Sequence, residues 1–192
     1  MSQTEKRAKV SIRIENTVAT AALKQHVDLN SITRILPDVE YRPEVFPGLV
    51  YRLKDPKTST LIFSSGKMVC TGAKSEKLAK EAVMKVVDEL RKKRIVTVEK
   101  PDIEIQNMVA SGGLGGTIDL DKAAYSLKRS MYEPEQFPGL IYRMEEPKTV
   151  FLIFSSGKLV CVGAKMEEKI HRAVATIQRT LEEKGLIRYE QL

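Results

Sequence analysis

Apolar residues recur along this chain in two rhythms, and each rhythm occurs twice. Across residues 61–71 the spacing is two. Leu61, Phe63, Val69 and Thr71 share one parity; Ile62, Met68 and Cys70 share the other. From Leu78 the spacing lengthens to that of a helix, with Leu78, Ala82, Val83, Val86 and Leu90 forming one stripe. The same succession returns 91 residues later. Leu152, Phe154, Val160 and Val162 stand against Ile153, Leu159 and Cys161, followed by the stripe Ile170, Val174, Ile177 and Leu181. Residues 46–74 and 137–165 align without a gap, and 21 of the 29 positions are identical.

The remaining elements follow in the same order in each copy. Val10–Val18 and Ile103–Val109 read as strands. Asp28 is placed to cap a short helix over LNSITRIL that ends at Pro37, and Asp119 to cap one over LDKAAYSL. Next come strands at Leu49–Lys54, Thr60–Ser64 and Lys67–Thr71, with turns at Asp55-Pro56-Lys57 and Ser64-Ser65-Gly66. A long helix, with Ser75 as its candidate cap in the first copy, closes each half. The halves are expected at residues 10–98 and 101–189. A period of 91 residues is that of a small domain and exceeds the ~20–50 residues of a solenoid unit. One helix can cover only one face of its sheet, yet both parities of the strands are apolar. Joined edge to edge, two such halves would leave one large sheet face for something else to cover. The faces of Ile12 and Ile14, which share parity with Asn16, are not assigned by pattern.

Charge sharpens this picture. The net charge is +7, which favours an anionic partner. Residues 1–100 hold 20 Lys/Arg against 12 Asp/Glu, and residues 101–192 hold 12 against 13. The two halves therefore share a pattern and differ in electrostatics. Cys70 and Cys161 are repeat equivalents outside any Cys/His cluster. They read as free thiols of a reducing cytoplasm, with no metal expected. No signal peptide and no apolar run of about 18 residues is present, so no membrane role is expected. The N-terminal MSQTEKRAK is polar and expected to fray. Ser-Ser-Gly-Lys lacks the upstream glycine and the following helix of a phosphate loop. The run Gly112-Gly113-Leu114-Gly115-Gly116 reads as a flexible loop. His26 and His171 are not repeat equivalents, and no catalytic constellation or cofactor site is seen.

The duplicated F-P-G-L-V/I-Y-R and L-I-F-S-S-G-K-x-V-C-x-G-A-K segments, with N-x-V-A at Asn16 and Asn107, resemble the conserved core of the TATA-box-binding protein family. The resemblance spans nearly all of residues 10–189 and is closest to archaeal forms, which lack a long N-terminal extension. It implies an α+β fold. Two pseudo-symmetric repeats would form one curved antiparallel β-sheet saddle, with the long helices on the convex face. It further implies a non-enzymatic general transcription initiation factor, cytoplasmic and nucleoid-associated, that binds A·T-rich double-stranded DNA in the minor groove. The family is itself a standard case of kinking by inserted apolar side chains.

The resemblance assigns the kinking side chains to Phe46, Phe63, Phe137 and Phe154. An apolar ring can wedge into a base step and replace part of the lost stacking. Base contacts fall on Asn16, Asn107, Val18, Val109, Leu61, Leu152, Val69, Val160, Thr71 and Val162. An amide can donate to the acceptors of an A·T minor groove. Val162 departs from the pattern, since many members have a second Thr there. Phosphate contacts are implied for Arg52, Ser65, Lys67, Lys74, Arg143, Ser156, Lys158 and Lys165. The acidic turn at Glu133, Glu135 and Gln136 is implied to bind transcription factor B, which recruits RNA polymerase. Gln136 stands where several members have Leu. A homodimer hiding the apolar face is a possible state off DNA. Related folds also serve as substrate-binding modules of nucleic-acid enzymes or as small-ligand binders. The bulk of Ile62, Met68 and Leu159 argues against a ligand pocket.

Overall fold

The computed structural model describes residues 10–189. MSQTEKRAK lies outside the described residues. The elements run in order as β1 (Ser11–Ala22), α1 (Leu29–Ile35), β2 (Val39–Glu40), β3 (Leu49–Lys54), β4 (Lys57–Ile62), β5 (Lys67–Ala73) and α2 (Glu76–Lys92). The second series is β6 (Asp102–Gly113), β7 (Thr117–Ile118), α3 (Leu120–Ser126), β8 (Ser130–Met131), β9 (Leu140–Met144), β10 (Thr149–Ile153), β11 (Lys158–Ala164), α4 (Glu167–Glu183) and β12 (Ile187–Arg188).

The chain divides into two compact units. One is Glu15–Asn107; the other joins residues 10–14 to residues 108–189. In the first, antiparallel strands lie in the order β2-β3-β4-β5-β1. Helix α2 packs on β4 and β5. Ala79, Ala82, Val83, Val86, Val87 and Leu90 of the helix are buried against Leu49, Ile62, Met68 and Cys70. The second unit repeats this with the order β6-β11-β10-β9-β8 under α4. Its core includes Ile170, Val174, Ile177, Phe151 and Leu159. In each unit the other strand parity is only half-buried, as the alternation requires when one helix layer covers one face.

The expected helix caps are in place. The Asn30 amide donates to Asp28 Oδ1 at 3.0 Å, and the Lys122 amide to Asp119 Oδ1 at 3.1 Å. These bonds hold both carboxyls below the usual range; for Asp28 the Ser31 hydroxyl contributes most. Leu36, next to Pro37, closes α1 in an extended conformation, as the residue before a proline must. Ser75 caps α2 through the Leu78 amide at 3.1 Å. The equivalent residue before α4 is Met166, which cannot cap.

Several elements differ from expectation: the strand expected over Thr60–Ser64 stops at Ile62, the one expected over Lys67–Thr71 runs on to Ala73, and the short strands β2, β7, β8 and β12 were not expected. Strand β4 begins at Lys57, because Asp55-Pro56 alone makes the turn and Lys57 already pairs with Lys54. Strand β1 runs on to Ala22, and its buried positions change phase between Ile14 and Thr17. That change is why pattern alone could not orient Ile12 and Ile14. The glycine run is not a loop throughout. Gly112 and Gly113 end β6, Leu114 is fully buried, and a Cβ on Gly112 would collide with the Ser11 carbonyl. Its glycines allow close backbone approach. Beyond it, β7 pairs with β12 and ties down the end of the second unit.

Candidate nucleic-acid interface

In the unit Glu15–Asn107, the face away from α2 is built from cross-strand pairs. Val50 stands opposite Leu61, Leu61 opposite Val69, Val69 opposite Thr20, and Ser59 opposite Thr71. All are half-buried, and Val18 lies in the same row of β1. At one end of this face Phe46 and Phe63 meet edge to face, with centroids 5.9 Å apart at 66°. Two local structures bring them together. Phe46 leaves a tight turn in which the Val45 and Phe46 amides both donate to the Arg42 carbonyl. Phe63 sits where the β4–β5 hairpin closes, its amide donating to the Lys67 carbonyl. Pairing of Leu49 with Ile62 sets the two rings side by side. Gly48 makes room for them: a Cβ there would lie 2.7 Å from Phe46 Cε1 and 3.1 Å from Phe63 Cε1.

The second unit carries the same arrangement. Ile141, Leu152, Val160 and Ser111 form the matching row of cross-strand pairs, and Val109 and Val150 both stand opposite Val162. Phe137 and Phe154 meet at 5.9 Å and 66°, beside Gly139. Phe46 is 41% exposed and Phe137 37%, high for large aromatic side chains in a folded chain. The fifth phenylalanine, Phe151, is fully buried under α4. Parity along residues 149–154 thus separates Phe154 from the core ring.

Asn16 stands next to a β-bulge in β5. Thr17 pairs with Ala73 and Ala19 with Cys70, so three steps of β5 oppose two of β1. Gly72 takes up the difference at φ +101°. Its amide donates to Asn16 Oδ1 at 2.7 Å, and the Asn16 amide group lies 3.0 Å from Thr71 Oγ1. Gly163, at φ +95°, marks a similar irregularity in β11, where Val162 faces Val109 and Ala164 faces Met108. Pattern reading missed both bulges and the supporting glycines Gly48 and Gly139. For the bulges, a glycine inside a strand run, Gly72 and Gly163, was the available signal.

Cations rim each face. Lys67 and Lys158 are exposed beside the hairpin serines Ser65 and Ser156, and Arg143 is exposed on β9. Some rim cations are engaged within the protein, among them Arg52 with Glu40 at 3.1 Å and Lys74 with the Glu15 carbonyl at 2.7 Å. Lys165 lies just past β11. The turn residues Glu133, Glu135 and Gln136 are exposed, and the Glu133 carbonyl accepts from the Gln136 and Phe137 amides. The matching first-half turn presents Arg42, Glu44 and Val45.

Each unit is therefore a helix-backed antiparallel sheet with an open, mostly apolar face, an aromatic pair at its end and cations at its edge. This is the class of duplicated, helix-backed sheet proteins in which each repeat leaves one sheet face open. The sequence profile described as "Transcription factor TFIID (or TATA-binding protein, TBP)" matches residues 11–93 and 102–184. A TATA-box-binding protein of Pyrodictium occultum is 54% identical over 97% of this chain and 94% of its own length. One of Picrophilus torridus is 49% identical over 97% and 100%. The solved structure of Methanococcus jannaschii TBP superposes with a TM-score of 0.83 at 48% identity, covering 90% of this chain and 99% of that one. The chain belongs to the TATA-binding protein family of transcription factors. Its fold is the family's: two repeats, a large antiparallel sheet and, among the described residues, four helices.

Proposed function

We propose that this chain is a general transcription initiation factor that binds the promoter TATA box through the minor groove. Its repeats, 10–98 and 101–189, each lay an open sheet face on the duplex. The Phe46–Phe63 and Phe137–Phe154 pairs wedge into base steps and kink the duplex. Asn16, Asn107 and the half-buried valines and leucines face the base edges, while the rim cations hold phosphates. Glu133, Glu135 and Gln136 offer the surface for transcription factor B and, through it, RNA polymerase. No catalysis, metal or cofactor enters this role.

The observation that carries the reading is the matched pair of exposed aromatic couples, each at the end of an open apolar sheet face. A soluble chain rarely leaves such a face uncovered, and a flat ring half in solvent suits insertion better than packing. The narrow, degenerate minor groove of A·T pairs offers acceptors and no amino group, which suits amide donors on an apolar floor.

The test is equilibrium binding and bending of an A·T-rich duplex, a G·C duplex and an RNA–DNA hybrid. The A·T duplex should bind tightest and bend. Replacing Phe137 and Phe154 together by Ala should reduce the bend and weaken binding by at least tenfold, since unstacking costs about a few kcal/mol per step. Equal affinity for all three nucleic acids would sink the reading.

A further inference from the structure

The two halves differ beside their asparagines. In the first, the open face carries the cross-strand pair Ser59–Thr71. At the repeat-equivalent place the second carries Val150–Val162. We infer that Thr71 is a positioning residue that acts through Asn16, so that the first half reads the minor groove more strictly than the second and thereby sets which way round the protein lies. This rests on the proposed role of Asn16 and Asn107 at the base edges.

The geometry is specific. The Gly72 amide is a donor, so the Asn16 atom 2.7 Å from it must be the carbonyl oxygen. The nitrogen is then the atom 3.0 Å from Thr71 Oγ1, and it gives one of its two protons to that hydroxyl. Thr71 Oγ1 also lies 3.2 Å from Asn16 Oδ1. The amide is thus gripped from the bulge and from the side, with one proton left to donate. Turning it over would set an NH₂ group against the Gly72 N–H. Sliding it aside would break the bond to Thr71. A guanine amino group in the groove meets a donor that cannot withdraw. Val162 offers only methyl groups, so this lateral grip through a hydroxyl is not available in the second half.

The prediction concerns orientation on a symmetric, A·T-only duplex with one G·C pair placed on one side of its centre. A DNA-cleaving reagent attached through Glu135→Cys, in the exposed second-half turn, marks where that half lies; Cys70 and Cys161 are fully buried and do not compete for the label. The native residues at 71 and 162 should place the second half over the G·C side in about fivefold excess, the scale of one lost hydrogen bond. Thr71→Ser keeps the hydroxyl and should keep the bias. Thr71→Val should remove it. The swap of Thr71→Val with Val162→Thr should reverse it. Inosine in place of guanine, which lacks the amino group, should abolish it in every variant. The bias is a ratio within one variant, so a change in overall affinity does not affect it, and far-ultraviolet circular dichroism confirms the fold of each. No bias in the parent protein, or an unchanged bias in Thr71→Val, overturns the inference while A·T-selective binding stands. Failure to prefer A·T over G·C duplex overturns the DNA reading itself.

Discussion

The two units hold their aromatic pairs in the same geometry, to 0.1 Å and one degree, and differ in what fills the space behind and beside them. Facing α2, the first unit buries Thr17 and Thr60; at the equivalent places facing α4 the second buries Met108 and Phe151. The Oγ of Thr17 has no hydrogen-bond partner in the structure, and that of Thr60 has none besides the Cys70 thiol. Thr60 sits across from the Cys70 thiol, a group that bonds only weakly. On the open face the contrast is the same in kind, hydroxyls at Ser59 and Thr71 against methyls at Val150 and Val162. The first half is therefore the more polar on both sides of its sheet. The lesson is that a duplicated scaffold tolerates different interiors as long as the strand ladders hold the same aromatic pair at the end.

The contrast predicts unequal local stability. Phe151→Ala empties a fully buried site and should cost about 3–5 kcal/mol. Thr60→Val, the equivalent position, should gain up to about 1 kcal/mol by removing a buried hydroxyl whose bond to the Cys70 thiol is weak. Hydrogen exchange of the strand amides checks both at once. Protection should fall around β9–β11 in the first variant and rise around β3–β5 in the second. If Thr60→Val lost stability instead, the polar interior of the first unit would be serving a contact the structure does not reveal.

A smaller effect separates the two thiols. Burial pushes Cys161 up to about 11 against the pull of the Thr149 hydroxyl, and also raises Cys70, where two hydroxyls, Thr60 and Thr58, pull back. A thiol is neutral when protonated, so a raised value in the folded chain means that folding favours the protonated form. The stability linked to Cys161 is whole below about pH 9 and falls as pH rises toward 11, by about 1.4 kcal/mol per unit. Cys161→Ala should flatten that part of the alkaline unfolding curve, and Cys70→Ala should flatten it less. Equal effects would mean that the hydroxyls beside Cys70 do not influence its thiol.

The smallest difference lies at the helix starts. Met166→Ser should give α4 the cap that Ser75 gives α2 and raise its stability by about 1 kcal/mol, read from denaturant midpoints. No gain would show that the Met166 side chain, exposed as it is, already contributes as much by packing.

The amino-acid sequence alone determined the repeat, the helix stripes, the caps at Asp28, Asp119 and Ser75, and the split of each strand pair into two faces. These depend on residues two to four positions apart, so a local reading suffices. It separated Phe63 and Phe154 from Ile62 and Ile153 by parity, and the structure buries the latter pair while leaving the former half-covered. What only the tertiary structure decided is set by counts between distant strands. The bulge at Gly72 exists because β1 and β5 differ by one residue in step, and the amide of Asn16 is gripped by a residue 55 positions away. The close approach of Gly112 to Ser11 and the pairing of β7 with β12 are of the same kind. No window along the chain contains both partners of such a contact. A sequence pattern can therefore name the asparagine, but only the folded ladder can show how it is held.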